Sequence, residues 1–312
     1  MKDREEAYAG SLFTYTILFL VFTAMIGLQK TISKLIGTDD YLFKVIYSQV
    51  IFLISIVIYL YLVRKKLHAY DSLSAFGEVI ERTRLKKTGA FNIILSFIAG
   101  IGFLPFLYLV NDLSLLSVKD VTSDQVADAS SKYPMFVLFF AVALFAPLVE
   151  EISYRGIYFG VYKKRSKMGA ALLTAVMFGL MHSNLNQFAY AVTAGFVFAM
   201  FSYAGNSIIC SLIMHVTVNG SSVISTYYPS FFINKLLMVE KMKLGTILSK
   251  LLLLSVVGLF ITALCFWLMS KNKIQETNNS DTNQNEKMKP EPMLIFGMVI
   301  MLVNMIANEF AK

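Results

Sequence analysis

A succession of long apolar runs, most of them close to twenty residues, constrains this chain more than any other feature of its sequence. A bilayer core about 30 Å thick requires roughly 20 residues of apolar helix to cross it. The runs that we assign as spans are 12–29, 43–63, 90–110, 134–156, 169–182, 186–204, 206–226 and 247–269. The sequence therefore predicts an all-α fold, a polytopic membrane helical bundle of about eight transmembrane helices, of which the fifth is short.

The composition agrees with a protein that resides in lipid. Hydrophobic residues make up 56% of the chain and charged residues only 15%, whereas a soluble domain carries about 25% charged residues. This excludes a cytosolic enzyme, a disordered regulator and a nucleic-acid-binding module, and it makes membrane lipid the expected surroundings. The net charge of +8 falls mostly in short segments between apolar runs, where basic residues determine membrane topology.

The distribution of basic residues predicts which loops face the cytoplasm. Lys and Arg dominate the loop 64–89 and the segment 163–167, whereas acidic residues dominate 111–133, so we expect the first two to be cytoplasmic and the third external. Within the first loop, apolar residues recur at helical spacing over 71–87, which predicts an amphipathic surface helix. The lysines of 235–250 would face outward, so that segment is either an interfacial helix or a sign that the count slips by one span.

The chain divides into a membrane domain over residues 1–270, a polar linker over 271–291 and a C-terminal apolar segment over 292–312. The linker is rich in Asn, Lys, Glu and Thr, a composition typical of flexible segments. The apolar run 293–307 is shorter than a full crossing. It therefore either spans with local thinning of the bilayer or lies at the interface.

Ionisable residues inside apolar runs indicate function, because charge at bilayer depth is costly. In the stretch LFAPLVEEISYR, Glu150 and Glu151 stand at the end of an apolar run and Arg155 follows. Positions i and i+4 share a helix face, so Glu151 can pair with Arg155 and leave Glu150 for chemistry. The alternative is that both glutamates only end a span on its cytoplasmic side.

Two histidines lie in or at the ends of apolar runs, and each has a companion one helical turn away. His182 follows Phe178, and His215 precedes Asn219. Any one of these residues is more often a satisfied core residue than a catalyst. Burying such groups on three helices is tolerable if they face one another or a water-filled cavity, and a carboxylate, two imidazoles and an amide together form a hydrolytic constellation.

At these residues the chain resembles the CAAX-protease and bacteriocin-processing (Abi) family of intramembrane proteases. The resemblance lies in E-E-x-x-x-R from Glu150, F-x-x-x-H ending at His182 and H-x-x-x-N from His215, and it covers about 134–226 as a protease core. It implies that Glu150 and His182 polarise a water, while His215 and Asn219 donate hydrogen bonds to the oxyanion. It also implies that Glu151, Arg155 and Phe178 orient these groups.

A metal-dependent mechanism would use three of the same side chains. Glu150, His182 and His215 supply one oxygen and two nitrogens, an adequate ligand set for Zn²⁺ or another divalent metal with an open position for water. The sequence does not separate this mechanism from one in which glutamate acts as the base.

The function predicted from the sequence is an intramembrane endopeptidase that cleaves a membrane-associated peptide or membrane protein. Lys outnumbers Arg 22 to 6, which suggests an A+T-rich bacterial genome, a bacterial cell membrane and a substrate that is not prenylated. Two alternatives stay open. One is a non-catalytic membrane scaffold or immunity protein, and the other is a proton or ion transporter.

Overall fold

The structure, a computed structural model, describes residues 29–38, 40–67, 74–115, 121–163, 166–228, 244–276 and 292–310. These residues form helices joined by short connections, and no strand occurs among them, which confirms the predicted all-α class. The helices in chain order are α1 (Gln29–Ile36), α2 (Tyr41–Leu67), α3 (Ala75–Thr83), α4 (Ala90–Leu115), α5 (Val121–Lys132), α6 (Met135–Tyr162), α7 (Lys167–Met181), α8 (Leu185–Ala204), α9 (Ile208–Tyr227), α10 (Leu244–Glu276) and α11 (Pro292–Phe310).

Six of these helices, α2, α4, α6, α8, α9 and α10, are long and apolar enough to cross a bilayer. The protein is therefore a multi-pass membrane protein, as its sequence predicts. Helix α7 is the short fifth span expected at 169–182, and at 15 residues it reaches about 22 Å. The predicted first span, 12–29, lies almost wholly outside the described residues.

One buried face of α2 runs along the helix at spacings of three and four residues. Its members are Leu42, Gln49, Phe52, Ile56, Tyr59 and Val63, each less than a tenth exposed. This spacing places them on one side of the helix, where they pack against the rest of the bundle. Apolar residues on the other side, such as Val57 and Tyr61, are exposed and suit contact with lipid. Two polar residues of α2, Gln49 and Ser55, are buried as well.

Helices α4 and α10 cross at two glycines. A Cβ placed on Gly258 would lie 1.9 Å from the carbonyl oxygen of Gly102, so only glycine permits this approach. Near the crossing, Thr262 of α10 donates a hydrogen bond to the carbonyl of Ala99, at 3.3 Å. The contact fixes α10 against α4.

Each end of the bundle is held by hydrogen bonds between helices, and one partner at each end belongs to a loop whose side the charge distribution predicts. On the predicted external side, Tyr133 donates to Asp40 and Tyr227 donates to the carbonyl of Tyr133. On the predicted cytoplasmic side, Arg84 reaches Ser202, at the end of α8. These contacts join parts of the chain that the predicted topology would place on one side; which side faces the cytoplasm stays a prediction.

The predicted amphipathic helix forms as α3, and its end is anchored in the protein. Ser74 caps it by accepting a hydrogen bond from the amide of Gly77, at 3.1 Å. The helix ends at Arg84, which adopts a left-handed conformation with φ of 57°. Its last carbonyl, from Thr83, lies so close to Gly156 that a Cβ there would be 2.3 Å away. This glycine allows α3 to dock on α6.

Helix α11 lies along α7. Leu294 is buried in the same core cluster as Tyr162 and Ala170, whereas Met301 and Met305 pack near Leu180. The segment that the sequence leaves between spanning and interfacial thus follows α7 over its length. The first residues of the predicted linker, 271–276, belong to α10, which continues to Glu276. Residues 277–291 and 229–243 lie outside the described part of the chain.

Candidate active site

The glutamate pair lies on a short α-helical stretch of α6 between two π-helical segments. Phe139–Phe145 and Ile152–Tyr158 are π-helical, and Ala146–Glu151 between them is α-helical. A π-turn bonds residue i to i+5 and is wider than an α-turn, and such turns are frequent at functional sites. Each wide turn changes which backbone carbonyls find a partner within the helix.

In the first π-segment, the carbonyl of Val142 is left for a side chain. The amide of Ala146 bonds to Ala141, five residues back, instead of to Val142. The next residue, Pro147, has no N–H to offer. The side-chain amide of Asn219 on α9 donates to the Val142 carbonyl instead, at 3.0 Å. Asn219 therefore ties α9 to the turn that precedes the glutamates.

The second π-segment is held in a similar way from the cytoplasmic end. The amide of Phe159 bonds to Tyr154, five residues back, and the carbonyl of Arg155 accepts a hydrogen bond from Arg84 at 3.1 Å. Arg84 also donates to the hydroxyl and the carbonyl of Ser202, each at 3.1 Å. Burial lowers the pKa of Arg84 to about 10, which still leaves the guanidinium charged at neutral pH.

Next to Glu150 in the chain, Glu151 forms a fully buried ion pair with Arg155. Nη1 of Arg155 is 3.1 Å from Oε1 of Glu151, and neither side chain is exposed. The guanidinium also lies over the rings of Phe178, at 4.4 Å, and Phe198, at 5.5 Å. The predicted pairing at i and i+4 is therefore present, and cation–π contacts supplement it.

His215 of α9 connects this ion pair to Glu150. Its Nδ1 is 2.9 Å from Oε1 of Glu151, and its Nε2 is 3.6 Å from Oε2 of Glu150. A carboxylate only accepts hydrogen bonds, so the first contact assigns a proton to Nδ1. A neutral His215 would then turn a lone pair toward Glu150, and a protonated one would turn an N–H toward it. The Glu150 side chain is 17% exposed, whereas Glu151 is closed off.

His182 ends α7, and its orientation is set by the turn before it. Its Nδ1 lies 2.8 Å from the carbonyl of Phe178, and because a carbonyl cannot donate, Nδ1 carries the proton. Nε2 of a neutral His182 is then an acceptor. The Phe178 ring makes edge contacts with the rings of both His182, at 4.9 Å, and His215, at 5.6 Å. One aromatic ring thus separates and orients the two imidazoles.

The structure brings the sequence-predicted residues together to different degrees. Glu150 and His215 are in direct apposition, and Phe178 touches both imidazoles. Glu151, paired with Arg155, accepts a hydrogen bond from His215, while Asn219 donates an amide N–H to the α6 backbone. An amide nitrogen carries two hydrogens, so one remains for a further acceptor.

Two polar contacts of the site are not among the sequence predictions. Gln49 of α2 donates from Nε2 to Oε1 of Glu150 at 3.0 Å, and Arg84 holds the backbone at Arg155. A signal for Gln49 exists in the sequence, because it is a long polar residue on a largely apolar face of α2 that includes Phe52 and Ile56. Arg84 belongs to a basic loop, and nothing in its sequence context distinguishes it from its neighbours.

The described residues do not form a three-ligand metal site. Within that part of the chain, no group of three or more His, Cys, Asp or Glu side chains is arranged to hold a metal ion. Metal assistance by Glu150, His182 and His215 stays a prediction.

Comparisons with known proteins agree with the family resemblance of the motifs. A family model described as Type II CAAX prenyl endopeptidase Rce1-like matches residues 132–221. A Bacillus subtilis (strain 168) protein named "Putative membrane peptidase YdiL" is 28% identical over 105 residues, which are 33% of this chain and 42% of that protein. The chain thus spans less than half the length of this curated relative. No solved structure shows a significant match. The predicted resemblance is confirmed for the segment that carries all three motifs.

Proposed function

We propose that this protein, which matches the CAAX prenyl endopeptidase family over residues 132–221, hydrolyses a peptide bond of a membrane-associated peptide or protein. The observation that carries the proposal is the apposition of Glu150 and His215, at 3.6 Å, in a site where Glu150 retains some exposure. A carboxylate beside an imidazole, at the edge of a buried ion pair, supplies the acid and base groups that amide hydrolysis requires.

Glu150 and His182 would activate the water. The lone pair on Nε2 of His182 and the carboxylate of Glu150 are both acceptors, so one water can donate a hydrogen to each and keep a lone pair for attack. Glu150 takes the proton as the nucleophile adds to the carbonyl carbon, and it returns that proton to the leaving amine. This division matches the roles that the family resemblance implies.

His215 and Asn219 would stabilise the oxyanion. With Nδ1–H held by Glu151, His215 donates from Nε2 only when it is protonated. Glu151 then has the role of a buried carboxylate that orients and stabilises an imidazolium. The second N–H of Asn219 is the other donor, and its first N–H, bound to Val142, fixes the direction of the amide.

The charges of this arrangement balance. When His215 is protonated, the two carboxylates of Glu150 and Glu151 are matched by the guanidinium of Arg155 and the imidazolium of His215. A neutral cluster costs less to keep at bilayer depth than one with net charge.

The substrate class follows from the surroundings of the site. Glu150 lies on a helix of membrane-spanning length, so a substrate must approach from the lipid or the interface. The Lys-rich, Arg-poor composition favours a bacterial cell and therefore a peptide or membrane protein without a prenyl group. The family name refers to prenylated substrates, so a farnesylated peptide belongs among the probes.

Comparison of membrane peptides from cells with the wild-type chain and cells with Glu150→Gln tests the proposal. We expect at least one substrate to accumulate uncleaved in the variant, and Glu81→Gln, at a carboxylate paired with Lys86, to match the wild type. Identical peptide profiles in all three strains, together with an intact cellular phenotype, would favour the scaffold or immunity alternative. Loss of cleavage in membranes treated with a chelator, restored by Zn²⁺, would favour the metal-dependent mechanism.

A further inference from the structure

We infer that Gln49 is a positioning residue of this site: its side-chain amide holds Oε1 of Glu150, so that Oε2 is the oxygen that faces His215 and accepts the proton. The inference rests on the proposed function. It concerns a helix, α2, that lies outside the segment matched by the family model.

Gln49 reaches Glu150 from the buried face of α2. The side chain is 6% exposed, and its neighbours on this face, Phe52 and Ile56, are buried and apolar. Its Nε2 lies 3.0 Å from Oε1 of Glu150. A polar side chain among apolar ones is costly unless it is hydrogen-bonded. Among the described residues, the Gln49 amide donates its hydrogen bond to Glu150, so this bond orients the Gln49 side chain.

The chemistry of the two side chains fixes which atom of Gln49 faces Glu150. The carboxylate of an ionised glutamate has only acceptors, and the glutamine amide donates only through nitrogen. Nε2 must therefore face the carboxylate, and Oε1 must point away from it. Oε1 is buried, and no hydrogen-bond partner for it is found among the described residues.

Packing alone does not explain a glutamine at this position. A buried polar side chain requires hydrogen-bond partners, and an apolar side chain of the same length would not. Methionine has nearly the shape of glutamine and suits an apolar face. A glutamine at this position is thus explained by what it gives to Glu150 and not by how it packs.

The contact makes the two oxygens of Glu150 inequivalent. Oε1 accepts a charge-assisted hydrogen bond from Gln49 at 3.0 Å, whereas Oε2 lies 3.6 Å from Nε2 of His215. That separation is too long for a direct hydrogen bond, yet both atoms can contact one water. Without Gln49 the carboxylate could rotate about its last bond and lose this alignment, and misplacement of a reacting group slows catalysis strongly.

The first test is turnover. Purified Gln49→Met and Gln49→Glu are compared with the wild type on quenched-fluorescence peptides that carry an apolar membrane anchor, with one farnesylated peptide included. Loss of a hydrogen bond to a charged group corresponds to about a 10- to 100-fold decrease in kcat, and we expect KM to change little. Gln49→Glu should be slower still, because a second carboxylate would face Glu150 at about 3 Å.

The matched control is Ser55→Ala on the same helix. Ser55 is fully buried, but its hydroxyl bonds to the carbonyl of Ile51 within α2. It should retain wild-type turnover. Full kcat in Gln49→Met, with Glu150→Gln inactive, would overturn the inference and leave the proposed function in place. Full activity of Glu150→Gln would instead overturn the proposed function.

The second test is independent of activity. In detergent, the thermal unfolding of Gln49→Met, Glu150→Met and the double variant is compared with the wild type. Glu150→Met leaves the Gln49 amide buried without its acceptor, so we expect the double variant to melt at a higher temperature than Glu150→Met. Strictly additive shifts would show that the two side chains do not act on each other, and the inference would fail.

Discussion

Replacement of Asn219 should separate its structural contribution from its proposed role in catalysis. In Asn219→Leu the carbonyl of Val142 loses its donor, because Ala146 bonds to Ala141 and Pro147 has no N–H. An unsatisfied buried carbonyl costs about 1–3 kcal/mol, so the free energy of unfolding should fall by about that amount. In a Pro147→Ala background, residue 147 has an N–H five residues from Val142, the spacing of a π-turn. There, the cost of losing Asn219 should fall below about 1 kcal/mol.

The assay is equilibrium unfolding of the purified wild type, the two single variants and the double variant in mild detergent, with peptide cleavage measured on the same samples. The control is Asn92→Leu on α4, which removes a side-chain amide that donates to the Thr88 hydroxyl. Its loss of stability should be the same in both backgrounds. Cleavage should stay about 10²–10³-fold down in Asn219→Leu with or without Pro147→Ala, because the oxyanion donor is missing from both. An equal loss of stability in the two backgrounds would refute the account of the Val142 carbonyl.

Three further predictions concern topology, docking and the buried charges. An impermeant thiol reagent on intact cells should label Ser131→Cys but not Gly89→Cys. Both native cysteines are buried, so the introduced thiol should dominate the labelling, and equal labelling of the two variants would contradict the predicted topology. Gly156→Ala should detach α3, because the new Cβ would lie 2.3 Å from a carbonyl oxygen, and limited proteolysis should then cut α3. Gly89 has open space around it, so in the control Gly89→Ala α3 should resist proteolysis as in the wild type. Arg155→Met should lower the free energy of unfolding by about 3–5 kcal/mol, and the double variant with Glu151→Leu should lower it less; a larger loss in the double variant would contradict the pairing.

Helical periodicity accounts for the features that the sequence predicts correctly. The pairing of Glu151 with Arg155 and the shared face of Phe178 and His182 follow from positions four apart on a helix, and both are present. The membrane spans follow from apolar length, and six of those described are long enough to cross. Such features depend on residues near in the chain, where sequence spacing and spatial distance agree.

The remaining features depend on contacts that join distant parts of the chain. Gln49 and Glu150 are separated by 101 positions, and Arg84 and Arg155 by 71, so no local pattern links them. The π-turns are also invisible to a periodicity of 3.6, because one extra residue per turn shifts the helix face only locally. Pro147 is the sequence clue nearest to the first of them, and its meaning depends on Asn219, which only the fold brings near.

The proposed base of the hydrolytic site, Glu150, is tested by cleavage of a membrane-anchored peptide. Purified wild type, Glu150→Gln and Glu81→Gln are compared at matched concentrations of folded protein. We expect Glu150→Gln to lose about 10²–10⁴-fold in kcat, with a melting temperature close to that of the wild type, and Glu81→Gln to cleave normally. Cleavage by Glu150→Gln at the wild-type rate would show that Glu150 is not the base.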